Sequence, residues 1–136
     1  MKVLVFSDSH GALNLAEEML RRETDCPVVF FLGDGIDEAE KMRDRHPDRK
    51  FILVKGNNDF WTRDASFPDE RTLTLGGKKF FICHGHKFNV KSSLALLKKT
   101  AREKECDIAL FGHTHQCFLE EGTIMVMNPG SKYTYG

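Results

Sequence analysis

The sequence has no excess of charge of either sign. Lysine and arginine total 20, and so do aspartate and glutamate. Global electrostatics therefore give no pull towards nucleic acid or an anionic membrane. Residues 78–104 are locally basic, with Lys78, Lys79, Lys87, Lys91, Lys98, Lys99, Arg102 and Lys104 against Glu103 alone. That stretch reads as a solvated helix face and a turn. Cysteine pairs at metal or redox spacing are also missing. Cys26, Cys83, Cys106 and Cys117 are scattered without a C-x-x-C, which excludes a zinc ribbon and a thioredoxin motif. Buried free thiols in a reducing cytosol account for them most simply. Nor does a long apolar run open the chain. Val3–Phe6 breaks at Ser7-Asp8, too short for a signal-peptide core or a membrane span. A cytoplasmic protein is expected. Internal repeats, linkers and low-complexity segments are absent, and 136 residues fit one domain over 1–136 with a workable core.

What the chain does have is a set of short apolar runs. Val3–Phe6, Val28–Leu32, Phe51–Val54 and Ile108–Phe111 are continuous, as suits strands buried on both faces. Between them lie helical patterns. Leu13, Ala16, Met19 and Leu20 recur at helical spacing, with Asn14 and Glu17 resembling a capping arrangement and an end near Arg22. Ile36, Ala39 and Met42 mark a second helix closed by His46-Pro47, and Val90, Leu94, Leu97 and Ala101 predict a third. Arg71–Leu75 and Lys78–Cys83 around Gly76-Gly77 read as a hairpin, and Cys117–Leu119 and Thr123–Met127 as another. Residues 60–70, including Phe60 and Trp61, lack periodicity and read as a loop.

The endings of the apolar runs carry the chemistry. They stop at Asp8, Asp34, Asn57, His84 and His113, each able to bind a metal ion. Asp8 and His10, at i and i+2, can lie on one side of extended backbone. Alone, that D-x-H is equally a turn residue and a helix start. Of six histidines only His46 lies away from an ending; scattered core histidines would not cluster so. Carboxylate and amide oxygens mixed with imidazoles suit manganese, iron, nickel or zinc, and the lack of cysteine argues against a structural zinc site. Asp8, His10, Asp34, Asn57, His84, His113 and His115 are more ligands than one ion takes. They fit two ions sharing one carboxylate. Asp34, flanked by Gly33 and Gly35, is the chosen bridge. Two adjacent cations point to phosphate ester hydrolysis.

D-x-H, G-D, G-N-x-D, H-G-H and G-H-x-H occur here in that order, each after a strand. This resembles the calcineurin-like metallophosphoesterase family over nearly the whole chain, from Asp8 to Ser131. The length and the Asn128-Pro129-Gly130-Ser131 run resemble its small prokaryotic phosphodiesterase branch. The resemblance implies an α/β fold, a four-layer α-β-β-α sandwich of two mixed sheets. It implies two divalent cations, manganese first, with Asp8, His10 and His115 on one, Asn57, His84 and His113 on the other, and Asp34 between. A bridging hydroxide would attack phosphorus in line, on a small-molecule phosphodiester rather than a monoester. Asn58, Asp59 and His86 are further candidates for the catalytic site. His86 either contacts substrate or hydrogen-bonds a neighbouring loop. Asp59 matches the family carboxylate and orients its surroundings.

Two departures from the family pattern matter. Many relatives carry histidine where this chain has Asn58, and an amide cannot act as a proton-donating acid, though it can hydrogen-bond a phosphate oxygen. Poor leaving groups should therefore react slowly and aryl diesters faster. Relatives also continue with further strands after Asn-Pro-Gly-Ser. One sheet is then either shortened or completed by a partner strand, which points to a homodimer. The alternative is a protein-interaction scaffold on the same fold, as in the retromer subunit. Amidohydrolases need a barrel of about 250 residues, and the H-x-H-x-D-H of metallo-β-lactamases is absent.

Overall fold

A computed structural model describes residues 2–8, 13–59 and 67–130, with only the backbone described at 13–15. His10, Phe60, Trp61 and Ser131 lie outside the described residues. The first half alternates strand and helix: β1 (Val3–Phe6), α1 (Leu13–Arg22), β2 (Val28–Phe31), α2 (Ile36–Arg45) and β3 (Lys50–Leu53). Parallel strands need a crossover, and the two helices provide it. The result is a parallel sheet of order β1-β2-β3.

The second half begins with the hairpin β4 (Glu70–Leu75) and β5 (Lys78–Cys83). A short 3-10 turn (His86–Phe88) and α3 (Ala95–Glu103) follow, then β6 (Ile108–Leu110), β7 (Cys117–Glu120) and β8 (Met125–Pro129). These strands form a mixed sheet of order β4-β5-β6-β8-β7.

The two sheets pack face to face with helices outside, giving the four-layer sandwich. Every residue of β2 is buried because both its faces are covered. Val28 and Phe30 enter the core between the sheets, with Ile52, Val54, Phe80, Ile82 and Leu110. Val29 turns outwards to Leu20 and Met42 of the helices, and Phe31 packs on Ile36 and Ala39. On the other side α3 lays Leu97 and Ala101 on Phe81, Ala109 and Val126. Phe30 is fully buried, its ring 5.3 Å from that of Phe80. Its truncation to alanine would cost about 3–5 kcal/mol.

Two local expectations shift. The third helix starts at Ala95, so Val90 and Leu94 precede it. Gly85 and Asn89 both have positive φ (110° and 53°) and interrupt the helical path. Val90 is nonetheless buried in the same core. The first helix starts at Leu13, so the backbone of Asn14 lies inside its first turn. Cys26, Cys83 and Cys106 are buried free thiols and Cys117 is exposed. No described helix is long and apolar enough to cross a membrane.

Candidate metal centre

Parallel strands deliver their carboxyl ends to one edge. β1, β2 and β3 lead into Asp8, Asp34 and the Gly56–Asp59 turn, while β5 and β6 lead into His84 and His113. The chain then turns sharply. Asp8 (φ 53°), Asp34 (φ 61°), His113 (φ 70°) and His115 (φ 64°) all occupy the left-handed region. For residues with a Cβ this costs about 1–3 kcal/mol each. Packing must over-determine the turns to hold them there. Close backbone approach does so: a Cβ on Gly56 would collide with Asp34 Oδ1, and one on Gly112 with Ser7 Oγ. No side chain fits at either position.

Asp59 organises the carboxylate side. Its buried carboxylate accepts hydrogen bonds from the backbone N–H groups of Asp34 (2.7 Å), Gly35 (2.9 Å), Ile36 (3.1 Å) and Gly56 (2.7 Å). It thereby fixes the Asp34 turn and the start of α2 together. Asn58 attends to Asp34 itself. Its N–H donates to Asp34 Oδ1 at 2.9 Å and its side-chain amide to Oδ2 at 3.0 Å. Asp8 accepts from the Ser7 hydroxyl and, at 3.0 Å, from the His113 N–H.

His84 is wholly buried. Its Nδ1–H donates to the Leu32 carbonyl at 2.8 Å, which leaves Nε2 facing inwards. Nε2 lies 3.3 Å from Asp34 Oδ2, 3.7 Å from Asp8 Oδ1 and 3.2 Å from His113 Nδ1. A ring nitrogen tied to a carbonyl with the other aimed at carboxylates is how proteins orient imidazole ligands. His115 Nε2 reaches to 3.2 Å from Asp8 Oδ1.

Burial works against charge on His84, but Asp34 and Asp8 overcome it and raise its affinity for a proton. Burial likewise opposes charge on Asp34. The His84 hydrogen bond and charge, with the Asn58 donors, more than offset this and hold the carboxyl far below the usual range. Burial and the neighbouring His84 push His113 and His86 down, leaving neutral imidazoles with a lone pair to give.

These residues fit divalent cations. Asp8 and Asp34 are buried carboxylates whose charged partners, among the described residues, are imidazoles. Asp8 Oδ1 is buried and accepts no hydrogen bond from the described residues. Buried charge of that kind needs a counter-charge. Ligand atoms of Asp8, Asp34 and His115 lie within 4.8 Å of one another, and oxygen with imidazole suits manganese, iron, nickel or zinc.

Of the residues singled out in sequence, Asp8, Asp34, His84, His113 and His115 converge. Asn57 lies exposed on the adjoining turn. His86 is half-buried, 5.5 Å from the His84 ring by centroid, and its Nδ1 is buried without a partner among the described residues. Sequence reasoning missed Ser7, the Leu32 carbonyl and the Asn128 side chain. Asn128 Nδ2 donates to the Gly112 carbonyl and the Thr114 hydroxyl oxygen, both at 3.0 Å, and so braces the loop carrying His113 and His115. Only the Asn-Pro-Gly turn signal hinted at it.

Comparisons with known proteins agree with this geometry. A probable metallophosphoesterase of Bacillus subtilis is 36% identical over 138 residues, covering 96% of this chain and 75% of its own length. A phosphodiesterase of Methanocaldococcus jannaschii is 26% identical over 144 residues, covering 96% and 83%. In fold, the chain resembles Vps29 from Entamoeba histolytica, with a TM-score of 0.79 at 24% identity, covering all of this chain and 78% of the other. Residues 1–135 match the calcineurin-like phosphoesterase superfamily domain. Buried carboxylates, inward imidazoles and this match together place the chain in the calcineurin-like phosphoesterase superfamily.

Proposed function

We propose that the centre hydrolyses phosphodiesters in preference to monoesters, in the cytoplasm, with two divalent cations, manganese foremost. The observation that carries this reading is the buried Asp8 carboxylate, one oxygen of which accepts no hydrogen bond from the described residues, beside Asp34, His84 and His115. Asp8, His10 and His115 would hold one cation and Asn57, His84 and His113 the other, with Asp34 shared. When bound, such a pair lowers the pKa of a water and neutralises phosphoryl charge during in-line displacement.

The chain's own residues shape the rest. Asn58 spends its amide on Asp34, so that position supplies orientation and no acid. Leaving groups that depart unprotonated, such as nitrophenolate, should therefore react best. Asp59 positions Asp34, and His86 offers an imidazole edge to the same space. A homodimer is proposed through β1. That strand is one of the two described edges of its sheet, and an apolar cavity of about 260 Å³ that Val3, Val5, Leu75 and Met127 help line lies beside it. Sedimentation velocity tests it; a monomer at all concentrations rejects it.

The main test is turnover of bis-(p-nitrophenyl) phosphate with manganese, nickel or zinc supplied. Metal-dependent release of nitrophenolate is expected. No turnover with any of them would favour the scaffold reading, which the Vps29 likeness in fold keeps open.

A further inference from the structure

A cavity of about 460 Å³ shares the His113–His115 loop with the metal centre through Thr114, and none of the assigned residues lines it. Its floor is apolar, formed by Val90 and the buried Phe111 ring. Phe118 stands at its side with 38% of its surface exposed, its ring 6.2 Å from that of Phe111. Thr114, Gln116, Lys91, Ser92 and Ser93 supply the polar part of the lining. The cavity is joined to the centre through the chain, because Thr114 sits between His113 and His115. Asn128 fixes the Thr114 hydroxyl oxygen, so the wall and the candidate ligands move as one. Gly85, between His84 and His86, approaches the Val90 side chain from the other side.

The lining matches one kind of guest. An aromatic face open for stacking suits a flat ring. The Gln116 amide offers a donor and an acceptor, and the Thr114 hydroxyl a proton, to that ring's polar edge. Lys91 brings positive charge to the lining, and Thr114 in the same lining sits between His113 and His115. Pockets of this volume are typical of small organic ligands. We infer that the cavity holds the nucleoside arm of a phosphodiester, its base on Phe118 and its phosphate between Lys91 and the metal centre. This rests on the phosphodiesterase reading. In the reaction water's oxygen bonds to phosphorus and the P–O bond to the second ester group breaks. The proton leaves to solvent or to the departing oxygen, and a nucleoside monophosphate remains in the cavity.

Two esters with the same leaving group isolate the retained arm: thymidine 5′-(p-nitrophenyl phosphate) and bis-(p-nitrophenyl) phosphate. The nucleotide ester should have the larger kcat/KM. Phe118→Ala should cut the ratio of the two values by about tenfold, the usual weight of one base stack. Gln116→Leu should lower the same ratio, chiefly through KM. Equal kcat/KM values, or a ratio unmoved by both variants, would overturn the inference. If neither ester turns over with any metal, the phosphodiesterase reading itself has failed. Equilibrium dialysis of thymidine 5′-monophosphate with manganese-loaded protein then decides the cavity separately. Binding weakened by Phe118→Ala supports it, and no binding overturns it.

Discussion

The two sheets bring different chemistry to their shared edge. Among the described residues the parallel sheet supplies oxygen: Asp8, Asp34 and the Asn57–Asp59 turn follow its strands. The mixed sheet supplies nitrogen: His84, His113 and His115 follow β5 and β6. The oxygen side is held by backbone donors, four of them on Asp59. The nitrogen side is held by bonds that cross between sheets, His84 to the Leu32 carbonyl and the His113 N–H to Asp8. Hard charges are therefore placed by a rigid loop network, and the softer donors are aimed at them from the opposite layer. Neither sheet completes the arrangement alone, so its formation reports on the packing of the whole sandwich.

That contrast separates two aspartates on the same side. Asp34 faces the centre, so Asp34→Asn should reduce phosphodiester turnover by more than about a hundredfold, beyond what outer contacts to a metal cost. The variant should stay folded by circular dichroism with a lowered melting temperature, since the new amide NH2 must face one of the two Asn58 donors. Near-normal turnover would break the assignment of Asp34 as the shared ligand. Asp59 faces backbone amides, so Asp59→Ala should act on stability first. Stranding these buried donors costs about 3 kcal/mol or more, a fall of roughly 10 °C in Tm for a domain of this size. A variant with unchanged Tm would show that water replaces the carboxylate. Asn58→Ala removes one of two donors to Asp34. A loss of about tenfold in apparent manganese affinity, with folding intact, is expected from such an outer contact. Isothermal titration measures it, and unchanged affinity would reduce Asn58 to a turn residue.

The sandwich was legible because its strands are short apolar runs and its helices have apolar stripes. Phe30 and Val29 point to opposite layers from adjacent positions, as alternation requires. Val90 was misread because its spacing from Leu94 and Leu97 mimics a helix, while the left-handed backbone at Gly85 and Asn89 leaves no trace in apolar periodicity. The endings of the runs exposed Asp8, Asp34, His84 and His113 as a group. The supports stayed hidden for a different reason. That Asp59 caps the turn of Asp34, and that Asn58 bonds to its carboxylate, depends on loops 25 and 24 residues apart in sequence meeting in space. Residue type alone left Asn58 equally able to face a substrate.

The smallest expected effect lies at an exposed ion pair and tests whether charge at the surface is as consequential. Lys87 Nζ donates to Asp69 Oδ2 across the entrance to β4. The lysine hydrogen bond, larger than the opposing burial, draws the Asp69 carboxyl below its ordinary value. Its folded pKa is thus below its unfolded one, so the pair's contribution is complete above about pH 4 and fades as acid protonates the folded carboxylate. Both side chains are well exposed, and solvent screens such pairs heavily. Lys87→Ala should leave Tm at neutral pH almost unchanged and move the acid-unfolding midpoint slightly upwards. A large loss at neutral pH would mean that Lys87 carries more than a surface pair. The division between a tightly held centre and a weakly coupled surface would then need redrawing.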